Sequence, residues 1–200
     1  MRILVIDGPS IFSFHQYLID HHYHVQGKPN YGALLETMER GLPGESFNPK
    51  VACVSISFEH EGQAKFTNFL EHQGFVVDAT DYRDAFVLPD KSSPYQRLST
   101  RITYLAGLYA HKRPHFVAVT DAFDVYYPLL DLVQNRGCQA TLAFFASGLE
   151  PRWQRAGLFA DDSPVKFFDL DPFAKKILGV ELGSRCSPKA ARMGLSSLSI

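Results

Sequence analysis

Six short apolar runs, rich in β-branched and aromatic residues, alternate along this chain with longer stretches of helical periodicity, and that alternation is its strongest constraint. The runs are residues 2–6, 51–57, 75–79, 115–120, 140–145 and 165–168. Between them the apolar positions recur at helical spacing, as in Leu98, Ile102, Leu105 and Tyr109 at i, i+4, i+7 and i+11. Further helices are expected over 8–20, 29–40, 63–73, 123–135, 151–158 and 172–178, with Asn30 as a cap and Gly74 and Gly137 as stops. A parallel strand pair needs a long crossover, and its helices cover both faces of the sheet. The expectation is therefore a three-layer α/β/α sandwich around a mostly parallel sheet of five to six strands. Residues 1–183 form the domain on this reading, and 184–200, rich in Ser, Gly and Lys/Arg without periodicity, form a tail.

Composition narrows the class. With 46% hydrophobic and 20% charged residues the 200-residue chain can bury an ordinary core. No apolar run approaches the 18 or so residues of a membrane span, and a charge at Asp7 after four apolar residues argues against a signal peptide. Cys53, Cys138 and Cys186 are odd in number, widely separated and without zinc spacing, as in a reduced cytoplasmic protein. A net charge of −1 offers no global field for nucleic acid, so a polyanion would need a local patch or a metal.

In open parallel sheets ligands bind beyond the carboxyl ends of the strands. There Asp7 follows 2–6 directly, Asp121 follows 115–120 directly, and Asp124 comes three residues later. Carboxylates gathered in one volume repel one another unless a cation sits among them. Hard divalent ions prefer such oxygen ligands and serve phosphoryl chemistry. The bland alternative for each residue is a helix cap, a position Asp favours. His15, His21, His22 and His24 lack cysteine or carboxylate partners and read as solvated helix-end and loop histidines. Gly8-Pro9-Ser10 has neither dinucleotide nor Walker spacing, which disfavours a small-molecule enzyme on a nucleotide-binding sheet. Asp81, Asp84 and Asp90 lie in a long polar loop, and Lys112 and Arg113, with Tyr95, Tyr104 and Tyr109, are candidates for a phosphate path.

The opening RILVIDGPSIF, the run Val117-Ala118-Val119-Thr120-Asp121-Ala122-Phe123-Asp124 followed by Pro128-Leu129-Leu130, and the closing Phe167-Phe168-Asp169-Leu170 together resemble the NYN domain family. That family is the LabA-like branch of the PIN-like nucleases, and the resemblance spans about residues 2 to 178. It implies a PIN-like, Rossmann-like sandwich that binds Mg²⁺ or Mn²⁺ through acidic residues and cleaves single-stranded RNA. Carried over, Asp7, Asp121 and Asp124 are the catalytic metal ligands, and Ser10, Arg97 and Arg101 contact substrate. This sequence departs from the pattern in three places. Ser10 stands where the family has Asn, the later acids are spaced D-x-x-D, and Thr100 falls where the middle motif has a carboxylate. The alternative is a catalytically silent domain that binds RNA or a protein partner; a homodimer is a further expectation.

Overall fold

A computed structural model describes residues 1–56, 61–81 and 94–182. Six strands form one parallel sheet: β1 (Arg2–Asp7), β2 (Phe47–Ile56), β3 (Phe75–Asp81), β4 (His115–Val119), β5 (Gln139–Phe144) and β6 (Lys166–Asp169). Their spatial order is β3-β2-β1-β4-β5-β6. The helices between them are α1 (Gly8–Asp20), α2 (Tyr31–Gly41), α3 (Glu61–His72), α4 (Pro94–Tyr109), α5 (Tyr126–Gln134), α6 (Pro151–Arg155) and α7 (Ala174–Leu178). The three-layer sandwich expected from the alternation is the observed architecture.

Alternation along each strand divides the core in two. Leu4, Ile6, Val117 and Val119 pack with Ile11 and Phe14 of α1, Leu34 and Met38 of α2, Leu70 of α3 and Ile177 of α7. Ile3, Val5, Phe116 and Ala118 pack on the other face with Leu98 and Ile102 of α4, Leu129 of α5 and Trp153 of α6. Both clusters are almost wholly withdrawn from water, which is why these strands read as continuous apolar runs rather than alternating ones.

Local signals account for most element ends. The Asn30 side chain accepts from the Ala33 amide at 2.9 Å and caps α2. Gly74, at φ +78°, closes the α3 turn into β3. Two elements differ from the expectation. Strand β2 starts at Phe47, ahead of Pro49, which cannot donate to the ladder. The β1–β2 pairing absorbs it with a register shift between Arg2 and Leu4. The segment after β4 begins as a 3₁₀ turn, Phe123–Val125, before α5 proper. Among the described residues no helix is long and apolar enough to cross a membrane. The expected tail, 184–200, and the loop residues Asp84 and Asp90 lie outside the described residues.

Gly8 lets α1 start directly against β2. A Cβ built there meets Val54 Cγ1 at 3.0 Å and the Cys53 carbonyl oxygen at 3.3 Å. Gly8→Ala gains helix propensity of at most about 1 kcal/mol. Crowding against a fixed backbone oxygen costs about 1–3 kcal/mol, so the crowding wins. The expected outcome is a lower urea midpoint for Gly8→Ala; a variant as stable as the parent would show that α1 shifts freely.

Candidate functional site

The sheet order reverses direction at β1. From β1 the chain proceeds outward through β2 and β3, then returns to β4 on the other side. Helix α1 leaves β1 toward one face, while the segment after β4 leaves toward the other, which opens a crevice above the two strand ends. Register pairs Ile6 with Val119, so Asp7 and Thr120 follow side by side. Both continue the parity of Val5 and Ala118.

Asp7 is 1% exposed and does not cap α1 with its side chain, although it occupies the cap position. Its carboxylate turns instead to two hydroxyls. Ser10 Oγ lies 2.6 Å from Asp7 Oδ2 and Thr120 Oγ1 lies 3.1 Å from the same oxygen. Ser10 Oγ also lies 2.5 Å from Asp121 Oδ1. The two carboxylate oxygens are thus no more than about 5 Å apart, within the range at which like charges act strongly on each other. Ser10 itself is fully buried, 3.1 Å from Thr120 Oγ1, and accepts weakly from the Asp121 amide at 3.4 Å. Thr120 Oγ1 accepts from the Ala122 amide at 2.9 Å, which fixes the backbone on the far side of Asp121.

One hydroxyl carries one hydrogen. Ser10 can donate to only one of the two carboxylates, so both short contacts are hydrogen bonds only when the other carboxyl is protonated and donates to Ser10. A cation between the carboxylates is the alternative way to relieve the repulsion. Burial pushes the Asp7 carboxyl up to about 6 from 3.8, with the Asp121 charge adding to the rise, while the Ser10 and Thr120 hydroxyls oppose it. Tyr31, whose hydroxyl donates to the Gly8 carbonyl at 3.3 Å, is also raised, first by burial and then by Asp7.

The other expected site residues fare differently. Asp124 is exposed and stays outside the pair, because the chain is extended at Ala122 (φ −69°, ψ 111°) before the 3₁₀ turn begins. Arg101 is engaged in an ion pair with Asp78, its Nε 3.0 Å from Asp78 Oδ2, and its guanidinium lies 5.7 Å from the Tyr104 ring centre. Asp78 pairs in register with Cys53, which pairs with Asp7, so Arg101 serves the same cross-sheet row from its far end. The Arg97 side chain and those of Asp81 and Tyr95 lie outside the described residues, and Thr100 is exposed on α4. Tyr104 is 56% exposed. Among the histidines, His15 is buried with Nε2 3.2 Å from the Gly27 carbonyl oxygen, and His21, His22 and His24 are exposed.

Two partners had no sequence signal strong enough to single them out. Thr120 is the last residue of an apolar run and is visible only through its parity with Asp7's neighbours. Trp153 arrives from α6, thirty residues on, and donates its Nε1–H to the Asp121 carbonyl at 3.1 Å. That bond holds the Asp121 backbone while Ser10 holds its side chain.

All donors at the pair are oxygens, two carboxylates and two hydroxyls, a set that suits Mg²⁺ or Mn²⁺ rather than a soft ion. Among the described residues no group of three or more His, Cys, Asp or Glu is placed to hold a metal. Mg²⁺ is commonly held by one or two carboxylates with water and substrate phosphate completing the shell, so an Asp pair fits.

Neither a family model nor a curated protein matches this chain. The chain is similar in structure to a protein of unknown function from Vibrio parahaemolyticus, known from its crystal structure. The TM-score is 0.60 at 16% identity, covering 88% of this chain and 95% of that one. At that identity the likeness concerns the fold alone.

A carboxyl raised in the folded state binds its proton more tightly folded than unfolded. The stability its neutral form contributes is complete below about pH 3.8 and is lost as pH rises through about 6. Asp7→Asn keeps a neutral, hydrogen-bonding group at every pH. With chelator present, it should be more stable than the parent by roughly 2–3 kcal/mol at pH 8. The gap should shrink toward zero near pH 4. Urea denaturation of both proteins at the two pH values measures this, and a gap that does not change with pH would contradict it.

Proposed function

We propose that this chain is a metal-dependent endoribonuclease of the NYN type, acting on single-stranded RNA through the Asp7–Ser10–Asp121 cluster. The observation that carries the reading is the convergence of Asp7 and Asp121 on one buried hydroxyl, at the carboxyl edge of adjacent parallel strands. Paired carboxylates at such a position cost repulsion and burial, and a resident cation is the ordinary compensation. Asp7 and Asp121 would hold Mg²⁺ or Mn²⁺. When bound, such an ion lowers the pKa of a ligated water and stabilises charge on phosphate oxygens.

The remaining residues have supporting roles on this reading. Ser10, buried and donating, fixes the spacing of the two carboxylates in place of the longer Asn side chain that the family uses. Thr120 orients Asp7, and Trp153 anchors the loop that presents Asp121. Asp124 would act at the rim of the crevice, adding negative charge near the cation without sharing the buried hydroxyl. Arg101 contributes positive potential from the α4 face while paired to Asp78; Arg97 is carried over from the resemblance as a further phosphate contact. With a net charge of only −1 on the chain, association with RNA would depend on these local charges and on the cation.

The test is cleavage of a fluorescently labelled single-stranded RNA with Mn²⁺ and with chelator. The parent should cleave only with metal. Asp7→Asn and Asp121→Asn should each lose at least about 100-fold, more than the cost of disturbing an outer-shell partner. Binding of RNA without cleavage under any divalent ion would replace the enzyme reading with that of a silent RNA-binding domain. Full activity in Asp7→Asn would remove the acidic pair from the mechanism.

A further inference from the structure

The aromatic residues nearest the acidic pair form a connected group rather than isolated core packing. Phe123 is two residues beyond Asp121, within about 7 Å along the chain. Its ring meets Trp153 edge-on at 4.9 Å between centres, Tyr127 edge-on at 6.0 Å and Tyr126 nearly parallel at 5.9 Å. Trp153 and Tyr126 are buried. They support the group from below, Tyr126 through its hydroxyl to the Ala156 carbonyl at 3.1 Å. Tyr127 stands at the outer end and is 65% exposed. The guanidinium of Arg152 lies over the Phe123 ring, 5.1 Å from its centre. Its ion pair with Glu150, Nε to Oε2 at 3.0 Å, joins two partly exposed side chains and is correspondingly weak, so the cation can also serve a phosphate.

Trp153 links this shelf rigidly to the site. The same indole that meets Phe123 donates to the carbonyl of Asp121. A flat ring at the surface, a planar cation beside it and an acidic pair a few residues away match the repeating chemistry of a single-stranded polynucleotide, which alternates stackable bases with phosphates. A lone exposed aromatic residue would need no explanation. This one continues an ordered aromatic group that is hydrogen-bonded to the proposed metal ligand's own backbone.

We infer that Tyr127, set edge-on to the Phe123 ring that Arg152 covers, is a stacking subsite for a base of single-stranded RNA adjoining the phosphate that a cation at Asp7 and Asp121 would hold. The inference rests on the reading of the acidic pair as a polynucleotide site. Stacking does not discriminate strongly among bases, so the subsite would favour unpaired RNA without demanding a sequence. In a duplex the base faces are already stacked on one another, and Tyr127 would have no ring to receive.

The experiment uses a short single-stranded RNA carrying 2-aminopurine, whose fluorescence is quenched by stacking, with Ca²⁺ supplied in place of Mg²⁺ or Mn²⁺ so that a cation is present while binding is read apart from cleavage. The parent should quench the probe. Tyr127→Ala should bind roughly 10-fold or more weakly and lose the quench, while Tyr127→Phe retains both. Phe12→Ala removes a ring that is equally prominent, at 60% exposure, but lies on α1 outside the shelf, and should behave as the parent. Equal binding and quench by Tyr127→Ala and the parent would overturn the subsite, and so would equal competition by a duplex of the same sequence. Cleavage by the parent together with an inert Tyr127 would leave the nuclease reading standing and end this inference. Tyr127-dependent quench in a chain that never cleaves would do the reverse.

Discussion

Strand β1 is hydrogen-bonded in parallel to β2 on one side and to β4 on the other, and the chain leaves these strands toward opposite faces of the sheet. Everything specific about the site follows from that constraint. Where the chain leaves neighbouring parallel strands toward opposite faces, a crevice forms beyond their carboxyl ends. Residues that terminate the two strands are forced to be neighbours, although more than a hundred positions separate Asp7 from Thr120 and Asp121. Gly8 allows the next helix to start against β2 without a bend, and this places Ser10, three residues after Asp7, between the two carboxylates.

The electrostatics are then largely decided by burial. Asp7 loses its hydration at the end of a strand whose every residue is buried, and the Ser10 and Thr120 hydroxyls compensate it in part. A carboxylate in that position is costly when ionised and alone. The structure retains it beside a second acid, an arrangement that makes sense when the pair serves charge chemistry and little sense as a stabilising device. Apolar residues of similar size would have satisfied the fold.

The layers and the parallel sheet were readable because each central strand is buried on both faces and the crossovers carry a helical periodicity. Asp7 and Asp121 were readable for the same reason, as charges placed where apolar runs stop. What could not be read depends on backbone turns and on distant packing. Asp124 follows Asp121 at a spacing suggestive of a shared ligand set, but the extended Ala122 and the 3₁₀ turn carry it to the surface. Arg101 has the charge for a phosphate contact, yet Asp78 of β3 pairs with it, a contact that only the packing of α4 on the sheet discloses. Trp153 is wholly buried, and its indole N–H reaches the Asp121 carbonyl, which no local pattern announces. The strand expected over 51–57 extends back past Pro49 to Phe47, where the β1–β2 register shifts.

The central claim is that Asp7 and Asp121 together bind one divalent cation. The most direct measurement is the loss of the electron paramagnetic resonance signal of free aqueous Mn²⁺ on titration with the protein near neutral pH. The account predicts that the parent removes the signal with a stoichiometry of one ion per chain. The folded double variant Asp7→Asn/Asp121→Asn should leave the signal at the level of free ion. Uptake by the double variant equal to that of the parent, or none by the parent at millimolar Mn²⁺, would contradict it.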